Sequence, residues 1–180
     1  MRSLPVLVDG NVAVRPLRRG DEEAWLRTRQ ENAAWLRPWE ATIPAGVPQE
    51  SVTFAGFVRK ERRAWRQGEA FAGVILVDDE LAGRVTIGGI RWGAERGGSI
   101  GYWIAEPFAG KGYTTRAVRL LIQYGLEQGL HRLEIAVRPE NEASLALVRK
   151  LDFREEGLRR NYLYIAGDWR DHRIFARTAD

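Results

Sequence analysis

Cysteine is absent from this 180-residue chain, and only two histidines occur. Without thiols there is no disulfide, thiol catalysis or thiolate metal site, a composition that fits a cytoplasmic enzyme without demanding one. No apolar run approaches the roughly 18 residues of a membrane-spanning helix, so we expect no membrane span. No His/Asp/Glu spacing suggests a metal. We expect structural roles for the two histidines, because His131 follows a predicted helix end and His172 lies in a predicted strand.

Lysine is also scarce, although the chain is basic. Basic side chains number 28 against 24 acidic ones, and all but three of the basic ones are arginine. A compositional preference of the source genome explains the excess of arginine over lysine. Attraction to a polyanion, whether nucleic acid, a ribosome surface or a phosphorylated cofactor, explains it too. The basic residues are spread along the chain, so we expect no dedicated nucleic-acid site.

The residues that are present describe a globular protein. With 44% hydrophobic and 29% charged residues, residues 1–180 are predicted to form a single α+β domain with a mixed, mostly antiparallel sheet and about four helices. Hydrophobic periodicity places the helices at 21–32, 51–67, 113–127 and 141–151. Strands are expected at 11–17, 70–78, 81–92, 97–104, 132–137, 153–165 and 169–177. Segment 33–48, broken by three prolines, is expected to be a loop or a short helical turn.

The stretch IGYWIAEPFAGKGYTT, residues 100–115, is predicted to bind an anion. A strand stops at a proline, a glycine-spaced turn follows, and a helix begins at once. Backbone N–H groups at a helix start lack helical partners and favour negative charge. Gly110 and Gly112 leave room for a phosphate. We therefore predict a site for the pyrophosphate of a nucleotide-like cofactor, although a plain strand–helix connection would give the same local pattern.

Two familiar phosphate motifs do not match this turn. A P-loop needs Ser or Thr directly after the lysine, where this chain has Gly112 after Lys111, and an earlier glycine where it has Ala105. A dinucleotide fingerprint would need glycine at position 115, which is Thr115. The turn therefore matches neither motif, and a plain strand–helix connection stays open as the alternative to another kind of cofactor site.

A second segment identifies that kind of site. VRPENEASLALVRKLDF, residues 137–153, follows GYWI and EPFAGKGYTTRAV at a spacing that resembles the GNAT superfamily of N-acetyltransferases. NAAWLRPWE, residues 32–40, and RRNYLYIAGDWRDH, residues 159–172, resemble its RimJ/RimL branch, the ribosomal-protein N-terminal acetyltransferases, and within it the type that acetylates an N-terminal alanine. With these, the resemblance spans nearly the whole chain.

The resemblance implies a three-layer α/β/α GNAT fold whose central strands splay apart, with acetyl-CoA as the cofactor. Backbone groups of Tyr102, Trp103 and Ile104 would bind the pantetheine arm as an added strand would. Asn141 would bind the cofactor near its pantetheine end. The amides of the turn would bind the pyrophosphate, and these belong to Gly110, Lys111, Gly112, Tyr113, Thr114 and Thr115.

Three departures from the family pattern lie in this turn. Ala109 stands where the family usually has Gln or Arg, Thr114 where it has Gly or Ala, and Arg116 where the branch often has Glu. Because backbone amides bind the phosphates, we expect these changes to weaken cofactor binding rather than abolish it. Arg116 is also a candidate for contact with a cofactor phosphate.

The chemistry implied by the family needs a neutral amine, a polarised thioester and a proton for the leaving thiolate. The family tyrosine seven residues after the asparagine is replaced by Val148. The branch resemblance points to Ser144 as the acid, although a serine there also suits a helix cap. Glu40 is the first candidate for the base, and a solvated loop charge is its alternative. Trp35, Trp39 and Tyr162 are expected to line the substrate cleft or to pack helices on the sheet.

The implied activity is transfer of an acetyl group from acetyl-CoA to a primary amine by direct attack in a ternary complex. The expected acceptor is the N-terminal α-amine of a protein such as a ribosomal protein. A small-molecule amine, a lysine side chain and a non-catalytic acyl-CoA-binding module are the alternatives. We expect a monomer or homodimer, with ribosome association as a further expectation.

Overall fold

The computed structural model describes residues 5–48 and 51–179. One sheet of eight strands contains β1 (Leu7–Asp9), β2 (Val12–Arg15), β3 (Phe71–Val77), β4 (Glu80–Arg91), β5 (Gly97–Ile104), β6 (Arg132–Val137), β7 (Arg154–Ile165) and β8 (Asp168–Thr178). The helices are α1 (Glu22–Glu31), α2 (Ala33–Leu36), α3 (Phe54–Gln67), α4 (Tyr113–Glu127) and α5 (Glu142–Lys150). In the described part of the chain, no helix is both long and apolar enough to cross a membrane.

The predicted element order is confirmed, with two short elements added. β1 was not expected because its three residues carry too little periodicity, and it pairs with β2 through a turn at Gly10, whose φ is +55°. The four-residue α2 lies in the segment predicted as a loop or short helical turn, and it raises the number of helices from about four to five. The predicted helix over 51–67 begins at Phe54, because the Thr53 side chain caps it by accepting a bond from the Gly56 N–H at 3.1 Å.

The sheet is mixed and mostly antiparallel, as predicted. Its strand order is β1-β2-β3-β4-β5-β6-β8-β7, and the β5–β6 pair is its parallel pair. That pairing covers only residues 97–99 of β5, against 132–134 of β6. Beyond it the two strands diverge, while β5 stays paired with β4 as far as Ile104 and β6 stays paired with β8 as far as Val137. The predicted splay therefore opens in the middle of the sheet.

Two apolar clusters cover opposite faces of the sheet, which gives the three-layer arrangement. The larger packs α4 and α5 onto one face through residues such as Leu121 and Val148. The smaller packs α1 and α3 onto the other face, around Leu17 and Val58. Burial of these side chains supplies the main favourable free energy of folding. Because helices cover both faces of the sheet, the gap between β5 and β6 lies between the two helical layers.

Candidate active site

The glycine turn before α4 leaves a row of backbone donors free. Gly110 and Gly112 have φ values of +73° and +80°, and no atom lies within 4 Å of a Cβ built on either. The first helical bond of α4 runs from the Arg116 N–H to the Gly112 carbonyl at 3.1 Å. Among the described residues, the six N–H groups of residues 110–115 have no hydrogen-bond acceptor. Six adjacent free donors at a helix start suit an anion, and the anion site expected from the sequence stays a prediction.

Side chains around this turn hold its shape. The Lys111 ammonium donates to the Pro107 carbonyl at 2.8 Å, so its charge stays beside the turn. Arg116 instead binds Asp9, with Nε at 2.9 Å from Oδ2, and its Nη1 donates to Asn11 at 3.0 Å. This guanidinium fastens α4 to the β1–β2 hairpin. The suggested phosphate contact of Arg116 is therefore replaced by a structural ion pair.

The backbone N–H and C=O groups of alternate β5 residues point into the strand gap. The Ala105 N–H donates to the Ala82 carbonyl at 2.7 Å, and Trp103 is aligned with Arg84. Because antiparallel residues alternate in the direction of their N–H and C=O groups, Trp103 points these groups toward β4. Tyr102 and Ile104 point theirs into the gap. This geometry corrects the expectation for Trp103, and it leaves Tyr102 and Ile104 as the strand residues predicted to bind pantetheine.

The side chain of Trp103 lies on the opposite face of the sheet from that of Tyr102. Its indole packs edge-on against Trp25 at 5.6 Å and lies 5.2 Å from the Arg29 guanidinium. Trp35 donates its indole N–H to the Ile104 carbonyl at 3.0 Å. Among the described residues that line the cleft, Trp35 does not appear, which corrects its expected role as a wall of the substrate cleft.

A cleft of about 490 Å³ occupies the strand gap and opens toward β7 and β8. Predicted site residues that line it are Trp39, Glu40, Tyr102, Trp103, Asn141, Ser144 and Tyr162. Two of these lie at its rim, Trp39 with 39% and Tyr162 with 36% of their surface exposed. The Arg138 guanidinium stacks 5.4 Å from the Trp39 ring and donates to the Pro38 carbonyl at 2.6 Å. These two contacts hold in place the loop around Pro38 and Trp39, the rim loop.

Asn141 and Ser144 meet at the start of α5. The Asn141 side chain accepts a bond from the Ser144 backbone N–H at 3.0 Å and so caps the helix. The cap is therefore Asn141, and the alternative of Ser144 as the capping residue is wrong. The Ser144 hydroxyl stays available at the cleft, and the Asn141 amide nitrogen keeps its donors for a ligand.

Tyr102 places a second hydroxyl beside Ser144. Its ring packs into the larger core cluster, and its buried oxygen has no hydrogen-bond partner among the described residues. Burial raises the pKa of Tyr102 to about 12, and the nearby Ser144 offsets part of that rise. The phenol is therefore protonated at neutral pH. A small movement of Ser144 would bring the two hydroxyls into hydrogen-bond geometry.

Glu40 lines the cleft as one partner of an ion pair. Its Oε2 lies 2.7 Å from Arg29 Nη2, and about 39% of its side chain is exposed. The pairing links the rim loop to α1, a structural role that the sequence did not suggest. Glu40 remains a candidate base on position alone.

His172 is the site residue that the sequence reasoning assigned to structure alone. It is 3% exposed and lines the cleft, with its ring packed edge-on against Tyr162 at 5.7 Å. Ile174, two residues further along β8, is also buried and lines the same cleft. The alternation in β8 put both side chains on one face. A histidine at an inward position of an alternating strand was the signal available in the sequence.

These features fit coenzyme A in three separate places. The turn over 110–115 offers six N–H donors for a pyrophosphate, and the cleft lies beyond the edge of β5. The Tyr102 backbone and the Ile104 N–H offer that edge to an amide-containing arm, whereas the Ile104 carbonyl is already bonded to the Trp35 indole. The glycine positions leave open space where a phosphate would lie. The turn and the strand edge both belong to the β5–α4 side of the strand gap, and the cleft adjoins them.

Comparison with known proteins agrees with this geometry. Residues 11–154 match the family model described as an acetyltransferase (GNAT) domain. The chain is 31% identical to "Probable N-acetyltransferase YjcK" of Bacillus subtilis over 92% of each protein. It is 30% identical to "[Ribosomal protein uS5]-alanine N-acetyltransferase" of Escherichia coli, covering 88% of this chain and 84% of that one.

A solved structure gives the same result. "Mycobacterium smegmatis RimJ in complex with CoA-disulfide" superposes with a TM-score of 0.87 at 37% identity, over 98% of this chain and 87% of the other. The strand gap, the free amides of the glycine turn and these relatives lead to one conclusion. The chain belongs to the GNAT acetyltransferase family, resembles its RimJ and RimL members, and is an N-acetyltransferase that uses acetyl-CoA.

Proposed function

We propose that this enzyme acetylates the N-terminal α-amine of a protein, with a ribosomal protein as the expected acceptor. The observation that carries the proposal is the shape of the cleft, which runs from Ser144 in the strand gap to an exposed aromatic rim at Trp39 and Tyr162. The end of a folded protein's chain has to enter from the surface, and an open rim allows this. The relative that acetylates an alanine of uS5 supports the same acceptor class.

The lining of the cleft suits a positively charged chain end. Glu40 and Glu134 both line it, and the Glu134 side chain is mostly buried beside Arg132 and Arg159. Arg138 and Arg159 line the cleft as well, so the two carboxylates offer local partners to an ammonium group rather than a net negative field. Small residues, Gly88, Gly89 and Gly101, border the same space and leave room for a peptide backbone. A protein end with a small first side chain would fit these walls.

The reaction needs little help at such an acceptor. An α-amine has an ordinary pKa of about 7.7–8.0, against about 10.4 for lysine, so a neutral fraction exists near pH 7. Bound acetyl-CoA supplies the electrophilic thioester carbonyl. The chain's own residues then orient the acceptor, exclude water from the gap, and donate a proton from the Ser144 hydroxyl toward the leaving sulfur. The protonated Tyr102 phenol beside Ser144 can stabilise that serine as it gives up its proton.

The test is acetylation of a ten-residue peptide that begins with alanine and contains one internal lysine. We expect CoA release, and a product whose single acetyl group lies on the α-amine by fragment-ion mass spectrometry. The matched control is the same peptide with its α-amine formylated, which should release no CoA. Acetylation of small amines but not of the peptide would contradict the proposed acceptor and favour a small-molecule enzyme.

A cytoplasmic location follows from an acceptor made on the ribosome, and association with the ribosome is part of the same proposal. Co-sedimentation of the purified enzyme with ribosomes, with and without nascent chains, measures it directly. An enzyme that acetylates the peptide but stays in the supernatant under both conditions would act on released ribosomal proteins instead.

A further inference from the structure

His172 is held in one orientation and one tautomer at the wall of the cleft. Its Nδ1 lies 3.0 Å from the Arg170 backbone carbonyl. Because a carbonyl oxygen can only accept, Nδ1 must carry a proton, and the neutral ring then has its lone pair on Nε2. Among the described residues, the hydrogen bond of the ring runs through Nδ1, and Nε2 has no partner. Tyr162 packs edge-on against the ring and limits its rotation.

We propose that His172 is the general base, and that its Nε2 accepts a proton from the acceptor's ammonium group within the cleft. The proposal rests on the acetyl transfer proposed above. The geometry that carries it is a buried imidazole with a fixed unprotonated nitrogen, lining the same 490 Å³ cleft as Ser144. Such a group touches the acceptor amine, and it is therefore a catalytic residue.

The proton balance of the reaction requires one such acceptor. An acceptor in the ammonium form gives one proton to Nε2, and the freed nitrogen lone pair forms a bond to the thioester carbonyl carbon as the C–S bond breaks. The nitrogen passes its second proton to the Ser144 oxygen as the Ser144 proton moves to the departing sulfur, so that free CoA, a neutral amide, an intact Ser144 hydroxyl and one proton on His172 result. That last proton passes to solvent before the next turnover.

The surroundings of His172 keep its ring neutral near pH 7. Burial lowers the pKa of His172, and the Arg138 charge lowers it further, while the Arg170 carbonyl and the carboxylates of Glu140 and Asp171 oppose them. The net direction is downward from the ordinary value of about 6.5. Glu40, the other candidate, is already paired with Arg29 at 2.7 Å. His172 is therefore the better-placed proton acceptor.

The first test compares two matched substitutions, His172→Asn and His131→Asn. The asparagine amide at 172 can still donate to the Arg170 carbonyl, so the strand contact is preserved while the base is lost. His131 is exposed outside the cleft, and its substitution should leave the rate unchanged. We expect His172→Asn to bind acetyl-CoA normally by calorimetry and to lose about 100-fold in kcat/KM at pH 7.

The pH profile separates a base from a structural residue. Wild-type kcat/KM should rise through the lowered pKa of His172, and this ascending limb should be absent in His172→Asn. The deficit of the variant should shrink toward about pH 9, where the α-amine is already neutral and needs no base. A constant deficit at all pH values, or an unchanged rate in His172→Asn, would overturn the proposal. The pH profile of Glu40→Gln should still show the ascending limb that is due to His172.

A second measurement needs no turnover. The chain has only two histidines, so the ¹⁵N spectrum of the imidazole rings is assigned by comparison with His131→Asn. We expect the His172 signal to show a protonated Nδ1, an unprotonated Nε2 and a pKa below 6.5. A ring that is protonated on Nε2 at pH 7.5 would refute the base. If instead the spectrum agrees but no amine is acetylated by wild-type enzyme, the proposed function is the part that fails.

Discussion

Replacement of Gly112 by alanine tests the phosphate turn more sharply than any charge substitution. Gly112 has a φ of +80°, and a Cβ built there meets no atom within 4 Å. The side chain therefore fits, and the cost is conformational. A left-handed backbone costs an L-residue about 1–2 kcal/mol, so Gly112→Ala should lower the free energy of unfolding by about 1 kcal/mol. For a chain of this length, that is a fall in Tm of about 2–4 °C.

Gly93→Ala is the matched control. Gly93 has a φ of +92°, also has no atom within 4 Å of a built Cβ, and lies in the exposed β4–β5 turn. The two variants should lose similar stability in thermal melts. Only Gly112→Ala should lose CoA affinity, because we expect the strained turn to relax and so to change the direction of at least one N–H donor. A hydrogen bond to a charged group is worth about 2 kcal/mol, or about 30-fold in Kd.

Isothermal calorimetry with CoA measures this difference. The reasoning would be refuted by a Gly112→Ala variant that melts like Gly93→Ala and yet binds CoA with wild-type affinity. It would also be refuted if Gly93→Ala lost the same affinity, because the loss would then reflect stability alone.

Three further substitutions test separate parts of the site and the fold. Ser144→Ala should lower kcat about 10-fold or more and keep CoA affinity and stability, because Asn141 rather than Ser144 caps α5; an unchanged kcat would exclude Ser144 as the acid. Tyr102→Phe removes a buried hydroxyl without a partner, so urea unfolding should show no loss of stability and a gain of up to about 1 kcal/mol, and a loss would mean that the hydroxyl is bonded. Asp21→Asn should cost about 2 kcal/mol at pH 7, because Asp21 pairs with Arg15 at 2.7 Å and both side chains are mostly buried. Burial raises the pKa of Asp21, but Arg15 and the Arg18 N–H lower it more, so this stability is present above the unfolded pKa of about 3.9 and is lost as pH falls through the folded value. The difference between wild type and Asp21→Asn should therefore vanish near pH 2, and a constant difference would contradict the pairing.

The elements that the sequence predicted correctly have strong periodicity or distinct end signals. Helix α4 shows both, because its apolar stripe, with Leu121 and Ile122, follows the glycine turn directly. The free amides of the turn over 110–115 were predictable for the same local reason, since unpaired amides at a helix start depend only on neighbouring residues. β1 was missed because three residues cannot establish a period, and α2 realises the short helical turn that was one of the two alternatives for its segment.

The misplaced site residues depend on register and tertiary packing. Whether the backbone groups of Trp103 or those of Tyr102 point into the gap depends on which β5 residues bond to β4. Sequence periodicity does not show which of the alternate residues these are. Trp35 was grouped with Trp39 by proximity in sequence, although the structure bonds it to Ile104. His172 appeared structural because it lies in a predicted strand, and only the pairing order β6-β8-β7 places its face of the strand against the gap.

Acetylation of the alanine-starting peptide with one internal lysine tests the central claim most directly. The account predicts stoichiometric CoA release and a single acetyl group on the α-amine, with the lysine unmodified, because the lysine ammonium is about 2.5 pKa units harder to deprotonate. Acetyl groups on the lysine alone, or CoA binding without any transfer to the peptide, would contradict the claim that this cleft acts on protein N-termini.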